Sequence, residues 1–257
     1  MAVPQCVVPC RPARVLRPQS RSPIITGRIT VPTLATSPAG NALLKALPRA
    51  DLQRVLAGCE SIGVVPSQVL QSPGVQPPFV YFPVSCVVSL LLPTIDSIGY
   101  EVGMVGSEGM VGLATALGPA ASSERAIVLS AGLLLRMRNS SARRELGLGG
   151  ALRKGVDGYL STRIGQLAQA TVCANFHPLV ARLARQLLVM QERMRTSTFG
   201  ATQEGLALRL GVRRVGVTTA ARSLQRRRLI QYRRGTLTIL DRRGLLAAAC
   251  SCPLPGK

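Results

Sequence analysis

The 257-residue sequence contains no Trp, four Phe, four Tyr and a single His, His177. With so few rings, the cores must be built from Leu, Val, Ile and Ala. One His removes most His-dependent catalysis and His-rich metal sites. No apolar run reaches the ~18 residues of a membrane span; the longest strongly apolar stretch, around Val87 to Leu92, is strand-sized. The N-terminus lacks the continuous apolar segment of a secretion signal, so a soluble, cytoplasmic protein with no membrane partner is expected. Catalytic signatures are missing as well. There is no recognisable nucleophile–base pair, carboxylate pair or P-loop, and no enzyme is expected.

The seven Cys stand at 6, 10, 59, 86, 173, 250 and 252. An odd count without a secretion signal argues against a disulfide framework. Cys6 with Cys10, and Cys250 with Cys252, lack the CxxC spacing typical of zinc sites. The thiols are therefore read as structural or incidental, and no metal site is expected.

Acidic residues are scarce where basic ones abound. The net charge is +21, and its distribution is uneven. Residues 1–40 carry 5 basic and no acidic residues; 41–174 carry 11 and 8; 175–257 carry 16 and 3. A general bias toward Arg would not leave the middle nearly balanced. A cationic C-terminal third is the electrostatic footprint of a polyanion binder.

Residues 1–38 hold seven Pro and no acid, which reads as a disordered tail. Residues 41–57 suggest a short helix interrupted at Pro48. From Ser61 to Met137 short apolar runs (Gln68–Leu70, Phe79–Phe82, Cys86–Leu92, Tyr100–Val105, Ala126–Met137) alternate with turn signals such as Ser72-Pro73-Gly74. That spacing predicts a β-sandwich, roll or barrel over 39–150. Over 151–174, Leu152, Val156, Leu160, Ile164, Leu167, Thr171 and Ala174 follow a 3–4 rhythm, which predicts a connecting helix with a dimer seam.

The richest segment is TQEGLALRLGVRRVGVTTAARSL, residues 202–224. Thr202 suits a helix N-cap. Leu206 and Leu210 form a buried face, Ala207 permits close helix approach, and Gly211 suits a turn with positive φ. Val217 returns to the core, the spacing that two helices crossing steeply require. Arg213, Arg214, Thr218, Thr219 and Arg222 lie off the Val217 face and are donors suited to phosphates and base edges. Two short strands joined at Arg234-Gly235 follow, a basic hairpin wing carrying Arg233 and Arg234. Stacking aromatics of the kind used for sequence-specific RNA are absent apart from Tyr232. Double-stranded DNA is the expected partner. An effector- or partner-binding β-roll with only secondary, non-specific nucleic-acid affinity is the alternative, which the intact second helix disfavours.

TQE-x-LA-xx-LGVRR-x-x-VT-x-AA-x-x-LQ, then LI-x-Y-RRG-x-x-x-ILDR-x-GL and ACSC, resembles the Crp/Fnr transcription regulators. Upstream, NALLKALP, VYFP, VSLL, EVGMVGSEGMVG and ERA fit the sensor half of one branch, while Asn175, His177 and RLARQLL fit the start of the DNA-binding half. The resemblance implies an α+β architecture: a cyclic-nucleotide-binding-like β-roll, a long dimerisation helix over 151–174, and a winged helix-turn-helix over 175–257. It also implies a homodimer reading a roughly palindromic site, with RNA polymerase as a further partner.

By the same resemblance Arg214, Val215 and Thr219 face bases, while Thr202, Gln203, Arg213 and Arg222 take phosphates or flanking contacts. Two of the base-facing positions depart from better-known members, which use acidic and Arg side chains there. Cyclic-nucleotide binders of this fold resemble one another in a Gly-Glu and an Arg-Ser/Thr pair. Here Gly112 is followed by Leu113, Arg125 by Ala126, and Glu108 is shifted in register. These three are the effector candidates, with a cyclic nucleotide disfavoured and no cofactor identified. An iron–sulfur cluster lacks its Cys set. His177, next to Pro178, is read as structural rather than as a haem ligand.

Overall fold

The computed structural model describes residues 40–94, 97–118 and 121–254. The Pro- and Arg-rich segment 1–38, with Cys6 and Cys10, lies outside the described residues.

The chain opens with two short helices, α1 (Ala42–Lys45) and α2 (Arg49–Ala57), separated at Pro48. Asn41 caps α1 although fully buried. Its Oδ1 accepts from the backbone N–H of Leu43 and Leu44, and its Nδ2 donates to the carbonyls of Pro83 and Gly109 at 2.9 and 2.8 Å. Every polar atom of the side chain is thus used, which is what allows its burial.

Seven strands follow: β1 (Cys59–Val64), β2 (Val69–Gln71), β3 (Phe79–Pro83), β4 (Val87–Thr94), β5 (Ser97–Val105), β6 (Arg125–Ser130) and β7 (Gly132–Arg138), with the short helix α3 (Leu113–Leu117) between β5 and β6. They form two antiparallel sheets, ordered β1-β7-β3 and β2-β6-β4-β5. Val64, Tyr81, Val88, Leu90, Val105, Val128 and Leu134 are buried together across both sheets. This is the expected β-roll. The apolar run from Ala126 to Met137 is two strands, and the chain changes sheet at Ala131.

Helix α4 (Asn139–Gly147) leads into α5 (Ala151–Phe176), which runs two residues beyond the expected end. Its first turns belong to the sensor core: Leu152, Val156 and Tyr159 are buried with Leu44, Phe82 and Met137. A Cβ on Gly109 would collide with the Tyr159 ring. The glycines of EVGMVGSEGMVG therefore include one that lets α5 lie directly on the loop after β5. The expected seam divides here. Leu152 and Val156 face their own chain, whereas Ile164, Leu167, Thr171 and Ala174 are exposed.

The C-terminal part comprises α6 (Leu179–Met194), β8 (Thr198–Gly200), α7 (Gln203–Leu210), α8 (Arg214–Arg226), β9 (Ile230–Arg233), β10 (Thr236–Ile239) and α9 (Arg242–Ala248). Leu183, Leu187, Leu206, Val217, Leu224, Leu237 and Leu245 form its core, which Val87 and Met104 of the roll join. No helix among the described residues is long and apolar enough to cross a membrane.

Candidate nucleic-acid interface

Thr202 caps α7 as its sequence suggests: Oγ1 accepts the Gly205 N–H at 3.0 Å. At the other end Gly211 has φ 62°, and the Val212 N–H reaches back to the Ala207 carbonyl at 3.1 Å. The left-handed conformation at Gly211, cheap only without a Cβ, turns the chain sharply into α8.

Helix α8 has two unlike faces. Val217, Ala220, Ala221 and Leu224, spaced i, i+3, i+4 and i+7, are buried against α6 and α7. At about 100° per residue, Val215, Thr219, Arg222 and Arg226 point the opposite way, with Arg214 and Thr218 on the flank. Val215 is 75% exposed, an apolar side chain held out in solvent at the first turn. Arg213 precedes the helix as its N-cap residue and is exposed.

Two hydroxyls are already engaged. Thr218 Oγ1 donates to Gln203 Oε1 at 2.7 Å and lies 3.1 Å from the Arg214 carbonyl, tying α8 to the start of α7. Thr219 Oγ1 donates to the Val215 carbonyl at 3.1 Å. Thr218 and Gln203 thus hold each other in place, while Thr219 stays on the outer face. Arg226, absent from the sequence-based set, joins Thr219 and Arg222 around one surface depression. Helical projection from Val217 would have found it.

The wing is a three-stranded sheet ordered β8-β10-β9. Between β9 and β10 stand only Arg234 and Gly235, both at positive φ (49° and 78°), as a two-residue turn of type I′ requires. Tyr232 Oη donates to the Ala201 carbonyl at 2.7 Å, fixing the wing to the chain entering α7. A basin beside the wing is lined by Thr202, Gln203, Glu204, Arg214, Tyr232 and Arg234. Arg214 and Arg234 therefore border the same concavity, with one carboxylate, Glu204, at its edge. An outward basic helix face beside a basic two-residue wing is the surface of a winged-helix DNA-binding protein.

The three effector candidates do not converge. Glu108 accepts the Gly106 N–H with both carboxylate oxygens and pairs with Arg193 of α6 at 3.1 Å. Arg125 opens β6, and its buried Nε has no hydrogen-bond partner. Gly112 alone reaches the cavity of about 180 Å³ between the roll and α5. That cavity is lined mainly by apolar groups, with Glu124 and Arg163 as its charges. Burial raises the Glu124 pKa above the usual carboxylate value, opposed by Arg163.

Residues 181–248 match the family model of the Crp-like helix-turn-helix domain. A search of curated protein sequences gives no match. Solved structures share the architecture at low identity. One, from Eubacterium rectale and assigned to the Crp/Fnr family of transcriptional regulators, is 16% identical, with a TM-score of 0.67 over 81% of this chain and 98% of that one. The c-di-GMP responsive global regulator CLP of Xanthomonas campestris is 16% identical, with a TM-score of 0.63 over 75% of this chain and 99% of its own. A Crp/Fnr-family transcriptional regulator from Thermus thermophilus is 20% identical, with a TM-score of 0.63 over 76% of this chain and 100% of its own. At these identities the likeness is one of fold, and the domain match carries the DNA-binding function. Residues 181–248 thus form a Crp-like helix-turn-helix domain, a DNA-binding unit, in a chain that shares the fold of solved Crp/Fnr-family regulators.

Proposed function

We propose that the chain works as a homodimer that reads two-fold symmetric DNA, with α8 in the major groove and the β9–β10 wing on the phosphate backbone. The observation that carries this reading is the outer face of α8. It holds Arg214, Val215, Thr219 and Arg222 clear of the protein core, with Arg214 bordering the same basin as Arg234 of the wing. Arg214 is assigned to a guanine edge, Val215 and Thr219 to neighbouring base edges, and Arg213, Arg222, Arg233 and Arg234 to phosphates. Thr202, Gln203 and Thr218 position the two helices.

The signal enters at the roll. A cyclic nucleotide is not the favoured effector. Leu113 stands where a ribose-binding carboxylate is needed, Arg125 does not line the cavity, and about 180 Å³ is small against the roughly 300–1,000 Å³ of typical ligand pockets. A smaller, largely apolar signal, or one that acts by shifting α5, fits the cavity better.

Two substitutions separate the roles. Arg214→Ala is expected to relax base preference at one position per half-site, a loss of about 1–3 kcal/mol in discrimination. Arg233→Ala is expected to weaken all duplexes equally and to lower the slope of log affinity against log salt by about 1. Fluorescence anisotropy on matched and mismatched duplexes at several salt concentrations reads both. Identical behaviour of the two variants would refute the assignment.

A further inference from the structure

Four soft donors, distant in sequence, meet where α5 ends and the C-terminal segment folds back. Cys173 and His177 stand one turn apart, at i and i+4, so they project from the same side of the helix end. Cys250 and Cys252 follow α9. The Cys250 N–H donates to the Ala181 carbonyl at 3.4 Å, and Leu254 is buried in the core that includes α6. These contacts bring the CxC segment over the α5–α6 joint.

One donor atom from each residue, three Sγ and one imidazole nitrogen, lies within 4.8 Å of all the others. Cys173 Sγ is 3.6 Å from Cys250 Sγ, and Cys252 Sγ is 3.4 Å from His177 Nδ1. Zinc–sulfur bonds of about 2.3 Å at tetrahedral angles set the sulfurs roughly 3.8 Å apart, so the observed pairs have the edge lengths of such a site. A disulfide needs about 2.05 Å. A cubane cluster attaches each thiolate to a different iron and spreads its ligands more widely.

The surroundings fit a charged sulfur cluster. Gln169 Nε2 donates to Cys252 Sγ at 3.0 Å, a contact of the kind that orients metal-bound thiolates. Arg185 of α6 brings a cation beside the cluster: its Nη2 donates to the carbonyl of Pro253, next to Cys252, at 2.7 Å, and its buried Nε has no hydrogen-bond partner. A divalent cation with three thiolates and a neutral imidazole carries one net negative charge, which Arg185 offsets.

We propose that Cys173, His177, Cys250 and Cys252 form a closed tetrahedral zinc site that pins the joint between α5 and the DNA-binding domain. On binding, Zn²⁺ replaces three thiol protons, which leave to solvent, and the neutral imidazole contributes a lone pair. All four positions are filled by protein, so the site is structural rather than catalytic. It spans the joint at His177 and Pro178, where the direction of α6 relative to α5 is set. Its occupancy therefore fixes where α8 sits, a consequence that rests on the DNA-reading function proposed above.

The test uses the full chain, purified without chelator, with zinc measured by atomic emission and then exchanged for Co²⁺. The expected result is one zinc per chain. Co²⁺ should show intense visible bands of a tetrahedral site with thiolate charge transfer. Cys252→Ser should abolish the bands, and Gln169→Ala should weaken retention by about 10–100-fold. Cys59→Ser, far from the cluster in sequence and on β1, should change nothing. If Cys252→Ser misfolds, His177→Cys decides: a four-thiolate site should keep the metal and shift the bands. Substoichiometric zinc with a weak octahedral Co²⁺ spectrum would overturn the proposal. So would a Cys173–Cys250 disulfide by mass spectrometry, or iron with labile sulfide. Duplex binding is measured on the same samples, so loss of DNA affinity with zinc retained counts against the DNA reading and not against the site.

Discussion

Ile164→Asp combined with Leu167→Asp is expected to yield a folded monomer whose affinity for a symmetric operator falls to the non-specific level, about 10³-fold or more below the parent. In the single chain Ile164 is 59% and Leu167 44% exposed, so neither is a buried core residue. Two apolar side chains at i and i+3 on a helix whose neighbouring turns offer Thr171 and Ala174 form a stripe that the single chain leaves largely open to solvent. Burial against a two-fold related copy of α5 is the simplest use of such a stripe. Two carboxylates per chain in that seam would be desolvated beside two more, which is prohibitive. Sedimentation equilibrium and duplex titration check the outcome. A variant that stays dimeric would place the seam elsewhere.

Arg209→Ala is expected to destabilise the chain by about 3–5 kcal/mol, lowering Tm by roughly 6–20 °C. Arg209 of α7 pairs with Glu101 of β5 at 3.0 Å, and the two side chains are only 11% and 5% exposed. Ser89 also donates to Glu101, and Arg209 Nη1 approaches Met104 Sδ at 3.2 Å. This pair joins the roll to α7, the first helix of the helix-turn-helix. Removing the cation leaves a buried carboxylate with one hydroxyl partner.

Burial raises the Glu101 pKa above the usual carboxylate value, opposed first by Arg209 and then by the Ser89 hydrogen bond. The native state then holds a proton that the unfolded chain has released, so this contribution to stability falls as pH rises from the ordinary carboxylate range through the raised one. Glu101→Gln should remove that pH-dependent component. Glu101→Leu with Arg209→Met, which replaces both partners, should recover much of the loss, because neither charge is then stranded. Calorimetry across pH reads all four proteins. An Arg209→Ala chain as stable as the parent would show that the pair does not dock the two units.

The parts of the molecule that read correctly from sequence are those specified within a few residues. The α7–α8 pair follows from a Thr202 cap, a small Ala207, a Gly211 turn and a Val217 return, and the wing turn from Arg234-Gly235. The strands of the roll show as apolar runs, yet their order does not, because β1-β7-β3 and β2-β6-β4-β5 are pairings between distant segments. The stripe on α5 has the right period over 151–174, but period alone does not distinguish the turns that face the roll from those that face outward. Glu108 reads from sequence as part of a ligand motif, whereas in the fold it is held by Arg193, far along the chain on α6.

The Cys and His cluster was hidden for a similar reason. Cys173 and Cys250 lie 77 residues apart, and a search for CxxC passes over CxC. The i, i+4 pair of Cys173 and His177 at a helix end was the signal that could have found it.

Selection from a random-duplex pool decides whether a symmetric pair of α8 helices reads DNA. The purified chain is incubated with the pool at physiological salt, and bound duplexes are recovered and sequenced. The expected result is enrichment of a two-fold symmetric motif whose half-sites lie about one helical turn apart, roughly 10–10.5 base pairs centre to centre. Enrichment of a single asymmetric half-site, or retention of all sequences alike with a steep loss on added salt, would contradict it.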